Sequence, residues 1–592
     1  MDSLDQSQIA VINSREKRLF VEAPAGYGKT TVMVKKLISD LASNQIPYPK
    51  RALALTFSVN AARKMKNDIH KAIAQQKGMR KELVGRVDVM NYHALARQII
   101  MKHGHASLSH GIDVNALTPM NESQVLAFLH NREVPFSEEH NKVLISLSAA
   151  VKRADEKLID SLFEPYCDLV LKTLIQNGCI TYNAILLLAI KVLQDDNNTC
   201  NLYRSLYPYI IVDEAQDTNL LGYKLFNKLA TKRTTVRMFG DSLQRIYGFI
   251  GAVPNFIEIA CKDFDLKVME LKVNHRFLPG FPMQLLDKNI RENIRNPLSP
   301  SIDDESRIPL LLSSSVELEI KQTCKLASRV INAQNHAKIS VLVRSRGYYS
   351  DRIVNSVRAE GISCFDGLFS DEDEEYIQFN DQCIAELDRL TGGDRKLSLS
   401  TLNDFVEATR KLLQGGSFAH GDSYMQLIEG MRAQVRAEYA GTPADAKYQY
   451  VRNVLENKAL RHAVNYVDAE VVVTTMHASK GLEWDYVFLP EMMQWVVPAY
   501  TTCNDCCFQL RENRTVEHKC LHEGSHVPQS YVDELCLFYV AATRAKRSVT
   551  LLASRDRVNG KLEHKTGYLS CFASIPGIKA FTPESLTDIV VS

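Results

Sequence analysis

The stretch RLFVEAPAGYGKT at residues 18–30 decides the fold. Its first five residues form a typical short strand, and the segment at 31–38 that follows has the apolar spacing of a helix. The small residues between them let backbone N–H groups curl around phosphates: Ala25, Gly26 and Gly28. Lys29 would then reach the outer phosphates and Thr30 would ligate Mg²⁺, although Ala23 replaces the glycine that usually opens such a loop.

A second strand ends in acidic residues, as a phosphate-binding loop of this kind requires. Residues 209–212 are apolar, and Asp213 and Glu214 follow them directly. Asp213 would complete the magnesium site, and Glu214 would orient and deprotonate an attacking water. Carboxylates after a strand are often only the solvated start of a helix, but their pairing with the loop favours a catalytic role.

Size and composition bear on the number of domains and the compartment. The 592 residues exceed what one hydrophobic core can hold, so we expect several domains. A net charge of +2 gives no global attraction to nucleic acid, and any DNA contact must be local. The sequence shows no secretion leader and no run of about 18 apolar residues, and its thirteen cysteines fit reduced thiols. We therefore expect a soluble cytoplasmic protein with no membrane partner.

The stretch DEAQDTN at 213–219 resembles the second motif of the UvrD/Rep/PcrA-like DNA helicases of superfamily 1A. Further stretches resemble other motifs of that family in matching order: LDQSQ at 4–8, LTFSVNAA at 55–62, NYH at 91–93, FGDSLQRIYGF at 239–249, VNHR at 273–276, TTMHASKGLEW at 474–484 and YVAATRA at 539–545. The resemblance implies an α/β fold with two RecA-like P-loop NTPase domains. Each would be a parallel sheet flanked by helices and would carry an inserted, mainly helical subdomain.

The motif order also implies the domain boundaries. The first RecA-like domain and its helical insertion are expected, in chain order, at residues 1–90, 91–194 and 195–276, where the middle segment is the insertion. The second RecA-like domain and its short accessory insertion are expected at 277–372, 373–465 and 466–592, again with the insertion in the middle.

The same resemblance implies how nucleotide is held, with ATP and Mg²⁺ as the expected cofactors. Gln8 would read the adenine edge, and Glu483 would lie at the ribose. Gln244 would sense the γ-phosphate. Arg276 and Arg544 would act as arginine fingers, which stabilise the charge that grows during phosphoryl transfer.

Two candidate nucleotide contacts depart from the family pattern. Thr31 stands where an arginine commonly packs on adenine, and His275 stands where a tyrosine packs on the other face. We therefore expect weaker base stacking, with a raised KM for ATP or looser purine selectivity.

Residues in several of these motifs are expected to face single-stranded DNA: Phe57, Asn60, His93, Tyr247, Phe249 and His477. The rings of Tyr247 and Phe249 would stack on bases. Stacking tolerates any sequence, which suits a motor that moves over all of them.

Cysteines and histidines cluster between the last two motifs. Cys503 and Cys506, together with Cys520 and either His522 or His526, have the ligand types of a structural Zn²⁺ site. Their second half lacks a regular spacing, which favours an insertion loop with free thiols over a zinc site.

Two functions remain open at this point. The favoured one is an ATP-dependent translocase on single-stranded DNA and 3′–5′ helicase that acts on 3′-tailed DNA. The alternative is a DNA-stimulated ATPase subunit that controls a partner such as a nuclease, in repair or phage defence, without unwinding by itself. The short accessory insertion supports the alternative. RNA stays open as a substrate beside DNA, because stacking and phosphate contacts do not sense the 2′-hydroxyl.

Overall fold

The computed structural model describes residues 4–43, 45–75, 85–108, 111–246, 251–253, 255–277, 282–296, 307–371, 373–415, 418–499, 507–510, 516–519 and 529–581. The chain divides into two compact units, Met1–Arg276 and Phe277–Ser592, and each is described by itself.

The strands of the first unit are β1 (Arg18–Glu22), β2 (Ala52–Thr56), β3 (Val87–Asn91), β4 (Thr118–Met120), β5 (Cys179–Thr181), β6 (Tyr209–Val212), β7 (Thr235–Gly240) and β8 (Lys267–Glu270). A parallel sheet has the order β3-β2-β6-β7-β1-β8, while β4 and β5 pair separately. Strands β2 and β6 are buried along their whole length, which explains their unbroken apolar sequence.

This strand order brings two loops to one edge of the sheet. Strand β7 lies between β6 and β1, so the chain segments that leave β6 and β1 are separated by a single strand. Asp213 follows β6, and the glycine-containing loop follows β1. In open α/β sheets, ligands bind outside the carboxyl ends of the strands, and the topology therefore marks this edge as the candidate site.

The helices of the first unit are α1 (Gln6–Asn13), α2 (Lys29–Ala42), α3 (Val59–Gln75), α4 (Tyr92–Ser107), α5 (Glu122–His130), α6 (Glu138–Lys152), α7 (Glu156–Leu169), α8 (Tyr182–Asp195), α9 (Asn197–Leu206), α10 (Leu220–Leu229) and α11 (Phe256–Phe264). Helices α4 to α9 lie in the chain between β3 and β6. Helix α8 is buried around most of its surface, as its nearly continuous apolar sequence requires. Its core is continuous with that of one sheet face, and α2 and α3 cover the other face.

The strands of the second unit are β9 (Ile308–Ser313), β10 (Ile339–Val343), β11 (Cys364–Asp366), β12 (Val471–Thr475), β13 (Trp484–Leu489), β14 (Cys507–Leu510), β15 (Val516–Lys519), β16 (Ala545–Ser554), β17 (Asp556–Val558), β18 (His564–Thr566) and β19 (Ile578–Phe581). A second parallel sheet has the order β11-β12-β10-β13-β16-β9-β19. Two antiparallel pairs, β14 with β15 and β17 with β18, lie outside it.

The helices of the second unit are α12 (Met283–Arg295), α13 (Val316–Ala333), α14 (Tyr348–Ala359), α15 (Glu374–Thr391), α16 (Leu399–Gln414), α17 (Gly421–Tyr439), α18 (Ala444–Glu456) and α19 (Gln529–Ala542). Helices α15 to α18 lie in the chain between the neighbouring strands β11 and β12 and form a helical group. Stacked rings of Phe379 and Tyr424 join α15 to α17 with their centroids 4.7 Å apart.

The predicted α/β class, with parallel sheets flanked by helices, is confirmed. Within the described ranges no helix is both long and apolar enough to cross a bilayer.

Candidate nucleotide-binding site

The loop after β1 has the backbone that its sequence predicts. Gly26 and Gly28 have φ of +85° and +78°, a left-handed conformation that glycine adopts without steric cost. Gly28 caps helix α2, which begins at Lys29, so the first N–H groups of α2 face the loop. The N–H of Ala23 donates to the carbonyl oxygen of Gly240 at 2.8 Å and fixes the start of the loop on β7.

Lys29 bridges the loop to the acidic end of β6. Its ammonium group donates to Glu214 Oε1 and lies 3.3 Å from Asp213 Oδ1. Burial alone would lower the pKa of Lys29, but the two carboxylates raise it above its ordinary value. Glu214 itself has a φ of +50°, which is unusual for a residue with a side chain.

These residues fit a triphosphate with Mg²⁺. Phosphate oxygens need N–H donors and a cation, which the start of α2 and Lys29 supply. Magnesium prefers carboxylate and hydroxyl oxygen, and these groups are carried by Asp213, directly after β6, and by Thr30, in the first turn of α2. Thr31, the next residue, is exposed.

Gln216 and Asp241, for which the sequence predicted no role, connect this cluster to Gln244. Gln216 donates from Nε2 to Glu214 Oε2 at 2.6 Å, and its Oε1 accepts from the N–H of Asp241 at 3.1 Å. Gln244 in turn donates to Asp241 Oδ2 at 2.8 Å. Their only signal in the sequence was their place inside the motifs DEAQD and GDSLQ.

Gln8 and His275 both lie against the glycine loop. The amide of Gln8 is buried, donates to the carbonyl oxygen of Tyr27 at 3.1 Å and accepts from the N–H of Asp5 at 3.3 Å. His275 Nε2 lies 2.8 Å from Asp5 Oδ2. The side chain of His275 remains 37% exposed, so part of its ring is open to a ligand.

Arg276 also lies beside the loop, because a Cβ atom placed on Gly26 would come within 2.6 Å of Arg276 Cβ. The first unit therefore brings together the sequence-predicted residues of the loop, the acidic strand end and the segment that ends at Arg276.

Arg544 and Glu483 belong to the second unit. Arg544 is 2% exposed, and its Nε donates to the carbonyl oxygen of Val540 at 2.8 Å. Glu483 is exposed and lies 3.6 Å from the ammonium group of Lys546.

Three of the six candidate DNA contacts have side chains that the structure describes. Phe57 is half-buried after β2, His93 lies in the first turn of α4, and His477 follows β12. Burial lowers the pKa of His93 and of His477 to about 4, helped by Arg97 and by Arg344 respectively. Asn60 lies in helix α3, but its side chain is outside the described part of the chain, as are Tyr247 and Phe249.

The zinc candidates Cys503, Cys506, Cys520, His522 and His526 also lie outside the described residues. In the part of the chain that is described, no group of three or more histidine, cysteine, aspartate or glutamate side chains is arranged to hold a metal ion.

A glycine loop, its lysine and an acidic strand end, all at the carboxyl edge of a parallel sheet, define a P-loop nucleoside-triphosphatase. The pattern of the UvrD/REP helicase N-terminal domain matches residues 4–265, and that of the UvrD-like helicase C-terminal domain matches residues 382–556. The chain therefore belongs to the family of UvrD/Rep/PcrA-like ATP-dependent DNA helicases, as predicted, and its two parallel sheets are consistent with two RecA-like domains.

Curated relatives align with this chain over different lengths. DNA helicase II of Rickettsia typhi is 22% identical, over 94% of this chain and 93% of that protein. The ATP-dependent DNA helicase PcrA of Staphylococcus aureus is 24% identical, over 94% of this chain and 84% of the relative. A probable DNA helicase of Mycoplasma pneumoniae is 27% identical, but the match covers 45% of this chain and about half, 51%, of the relative.

Proposed function

We propose that this protein hydrolyses ATP to move along single-stranded DNA from 3′ to 5′ and thereby unwinds 3′-tailed duplexes. The observation that carries the proposal is the Lys29 ammonium group held between the carboxylates of Asp213 and Glu214. Such a cluster provides a cation for phosphate and carboxylates for metal binding and water activation in one place. DNA as substrate and the 3′–5′ polarity enter the proposal through the family.

The residues of the first unit have distinct roles in this proposal. Lys29 binds the outer phosphates, while Thr30 and Asp213 hold Mg²⁺, which neutralises charge on those phosphates when bound. Glu214 accepts the proton of the attacking water at its carboxylate. Arg276 stabilises the negative charge that develops during transfer.

Gln244 links hydrolysis to the DNA-facing part of the molecule. Its amide is fixed by Asp241, which is joined through Gln216 to Glu214. A change at Glu214 on hydrolysis would thus shift Gln244. Residues 244–249 include Tyr247 and Phe249, the two rings proposed to stack on DNA bases, so the shift would reach the DNA contacts.

The other proposed nucleotide contacts surround this centre. Ala25, Gly26 and Gly28 present the loop backbone to the phosphates. Gln8, Thr31 and His275 lie toward the base, and Glu483 binds the ribose. Arg544 acts as a second arginine finger from the second unit.

The proposed DNA surface comprises Phe57, Asn60, His93, Tyr247, Phe249 and His477. Since His93 and His477 have pKa values of about 4, both act as neutral rings that stack or hydrogen-bond near neutral pH.

We also propose the six segments given by the motif order as subdomains, with insertions at residues 91–194 and 373–465. The helices between β3 and β6 and between β11 and β12 support this division.

The test is ATP hydrolysis by the purified full-length chain, with 3′-tailed, 5′-tailed and no oligonucleotide. We expect DNA to stimulate the wild type, and Glu214→Gln to be inactive because it cannot accept the proton. Glu164→Gln, at an exposed glutamate of α7, is the matched control and should resemble the wild type. A wild type that is silent alone but active with a partner subunit would contradict autonomous motor function, and preferential unwinding of 5′-tailed duplexes would contradict the polarity.

A further inference from the structure

The last residues of the first unit run alongside the phosphate-binding loop and are hydrogen-bonded to it. Asn274 donates from Nδ2 to the carbonyl oxygen of Ala25 at 3.0 Å and accepts at Oδ1 from the N–H of Arg276 at 2.9 Å. The N–H of His275 donates to the carbonyl oxygen of Gly26 at 2.8 Å. A single amide side chain, that of Asn274, thus joins the loop to the backbone of Arg276.

The fit between this segment and the loop leaves no room for a side chain at Gly26. A Cβ atom there would lie 2.6 Å from Cβ of Arg276 and 2.8 Å from Oδ1 of Asn274. Because the side chains of Asn274 and Arg276 pack directly against Gly26, we expect a displacement of this segment to displace the loop as well.

The segment has anchors that do not depend on Asn274. The N–H of Lys272 donates to Ser7 Oγ at 3.0 Å, and the ring of His275 is paired with Asp5 at 2.8 Å. Both anchors are on the first turn of α1 or at its cap. Loss of the Asn274 amide would therefore free the backbone of Arg276 locally without releasing the whole segment.

We infer that Asn274 is a positioning residue that holds Arg276 beside the phosphate-binding loop. The inference rests on the proposed function, in which Arg276 reaches the outermost phosphate. If Asn274 acts through Arg276, its removal has no further effect once the Arg276 side chain is truncated. ATP carries the γ-phosphate and ADP does not, so the preference for ATP over ADP measures how well Arg276 is positioned.

The experiment measures the affinity of the full-length chain for ADP and for a slowly hydrolysed ATP analogue, both with Mg²⁺. The variants are Asn274→Ala, Arg276→Ala and the double variant. We expect each single change to reduce the preference for the ATP analogue by about 10-fold, the size expected for a lost charge-assisted contact. The double variant should equal Arg276→Ala alone.

Two further variants sharpen the result. Asn198→Ala, at an exposed asparagine in the first turn of α9, should leave the preference unchanged. Asn274→Asp has the same shape but cannot donate to the carbonyl oxygen of Ala25. It should also lose the preference, and it takes the place of Asn274→Ala if the alanine variant does not fold.

Losses that multiply in the double variant would overturn the inference, as would an unchanged preference in Asn274→Ala. The readout requires neither turnover nor DNA. The expected pattern in a protein that does not hydrolyse ATP on DNA would therefore support the positioning role and contradict the motor function.

Discussion

Gln216 holds the carboxylate of Glu214 through a hydrogen bond of 2.6 Å from its Nε2 to Oε2. Gln216 is 1% exposed, and a Cβ atom on Gly240 would lie 2.6 Å from Gln216 Oε1. The glutamine is thus enclosed between β6 and the end of β7. Its amide has little freedom to turn, so Glu214 is held in a defined orientation before any ligand binds.

Gln216→Ala should lower kcat for ATP while leaving KM nearly unchanged, because Gln216 orients a group that acts in the transition state. A hydrogen bond to a charged group contributes about 1.5–3 kcal/mol, which corresponds to a loss of about 10- to 100-fold in rate. Steady-state ATP hydrolysis on single-stranded DNA measures both constants. Gln194→Ala, at an exposed glutamine of α8, is the control, and a raised KM with intact kcat would contradict the orienting role.

The buried carboxyl of Glu319 predicts a pH dependence of stability. Burial raises its pKa to about 7, and burial together with Glu319 raises the pKa of Glu491 to about 8. The backbone N–H of Glu491 donates to Glu319 Oε1 at 2.8 Å, and Asp556 adds a further negative charge. The folded state therefore binds these two protons more tightly than the unfolded chain does. The resulting contribution to the free energy of unfolding is complete below about pH 4.5 and is lost as pH rises through 7 to 8.

Glu319→Gln should therefore raise Tm at about pH 8.5 by removing a buried charge, and should flatten the dependence of Tm on pH. The rise in the pKa of Glu319 from 4.5 to about 7 corresponds to roughly 3 kcal/mol in the free energy of unfolding. Thermal unfolding of the full chain between about pH 5.5 and 8.5 measures it. Glu407→Gln, at an exposed glutamate of α16, should keep the wild-type dependence, and a lower Tm for Glu319→Gln across the whole range would show that its ionised form stabilises the fold.

His93 and His477 should contribute to DNA affinity without contributing charge. Because both pKa values are about 4, His93→Gln and His477→Gln should weaken binding while the slope of log affinity against log salt stays unchanged. Fluorescence anisotropy with a labelled single strand at several salt concentrations measures the slope. His130→Gln, at an exposed histidine of α5, is the control, and a slope that falls by about one would show that the ring binds as a cation.

Local patterns were enough to predict the fold class and the loop. The strands at residues 18–22 and 209–212 are buried as expected. Gly26 and Gly28, which follow the first of these strands, have the positive φ that the loop requires. Both features depend on side-chain periodicity and backbone sterics, which a short stretch of sequence carries by itself.

Pairings between distant segments could not be predicted. Gln216 contacts Asp241 because β6 and β7 are neighbours in the sheet, and Glu319 contacts the backbone of Glu491 across 172 positions in sequence. Neither residue has a distinctive sequence signal of its own. Such contacts depend on strand order and helix packing, which the motifs do not encode.

The pairing of His275 with Asp5 leads to a prediction about base selectivity. Asp5 accepts from the N–H groups of Ser7 and Gln8 as well as facing the ring, so its carboxylate is held in place and in turn fixes the imidazole. The small ring covers less of a purine than a phenol ring does, and Thr31 offers no second surface. His275→Tyr should therefore lower KM for ATP, because a larger ring buries more of the base, and should sharpen discrimination against GTP. Competition of ATP hydrolysis by GTP and CTP measures the selectivity.

His336→Tyr, which alters an exposed histidine of the second unit, is the control. If His275→Tyr left both KM and the competition unchanged, the exposed ring of His275 would not contact the base, and selectivity would have to come from Gln8 after its bond to the carbonyl oxygen of Tyr27 is broken.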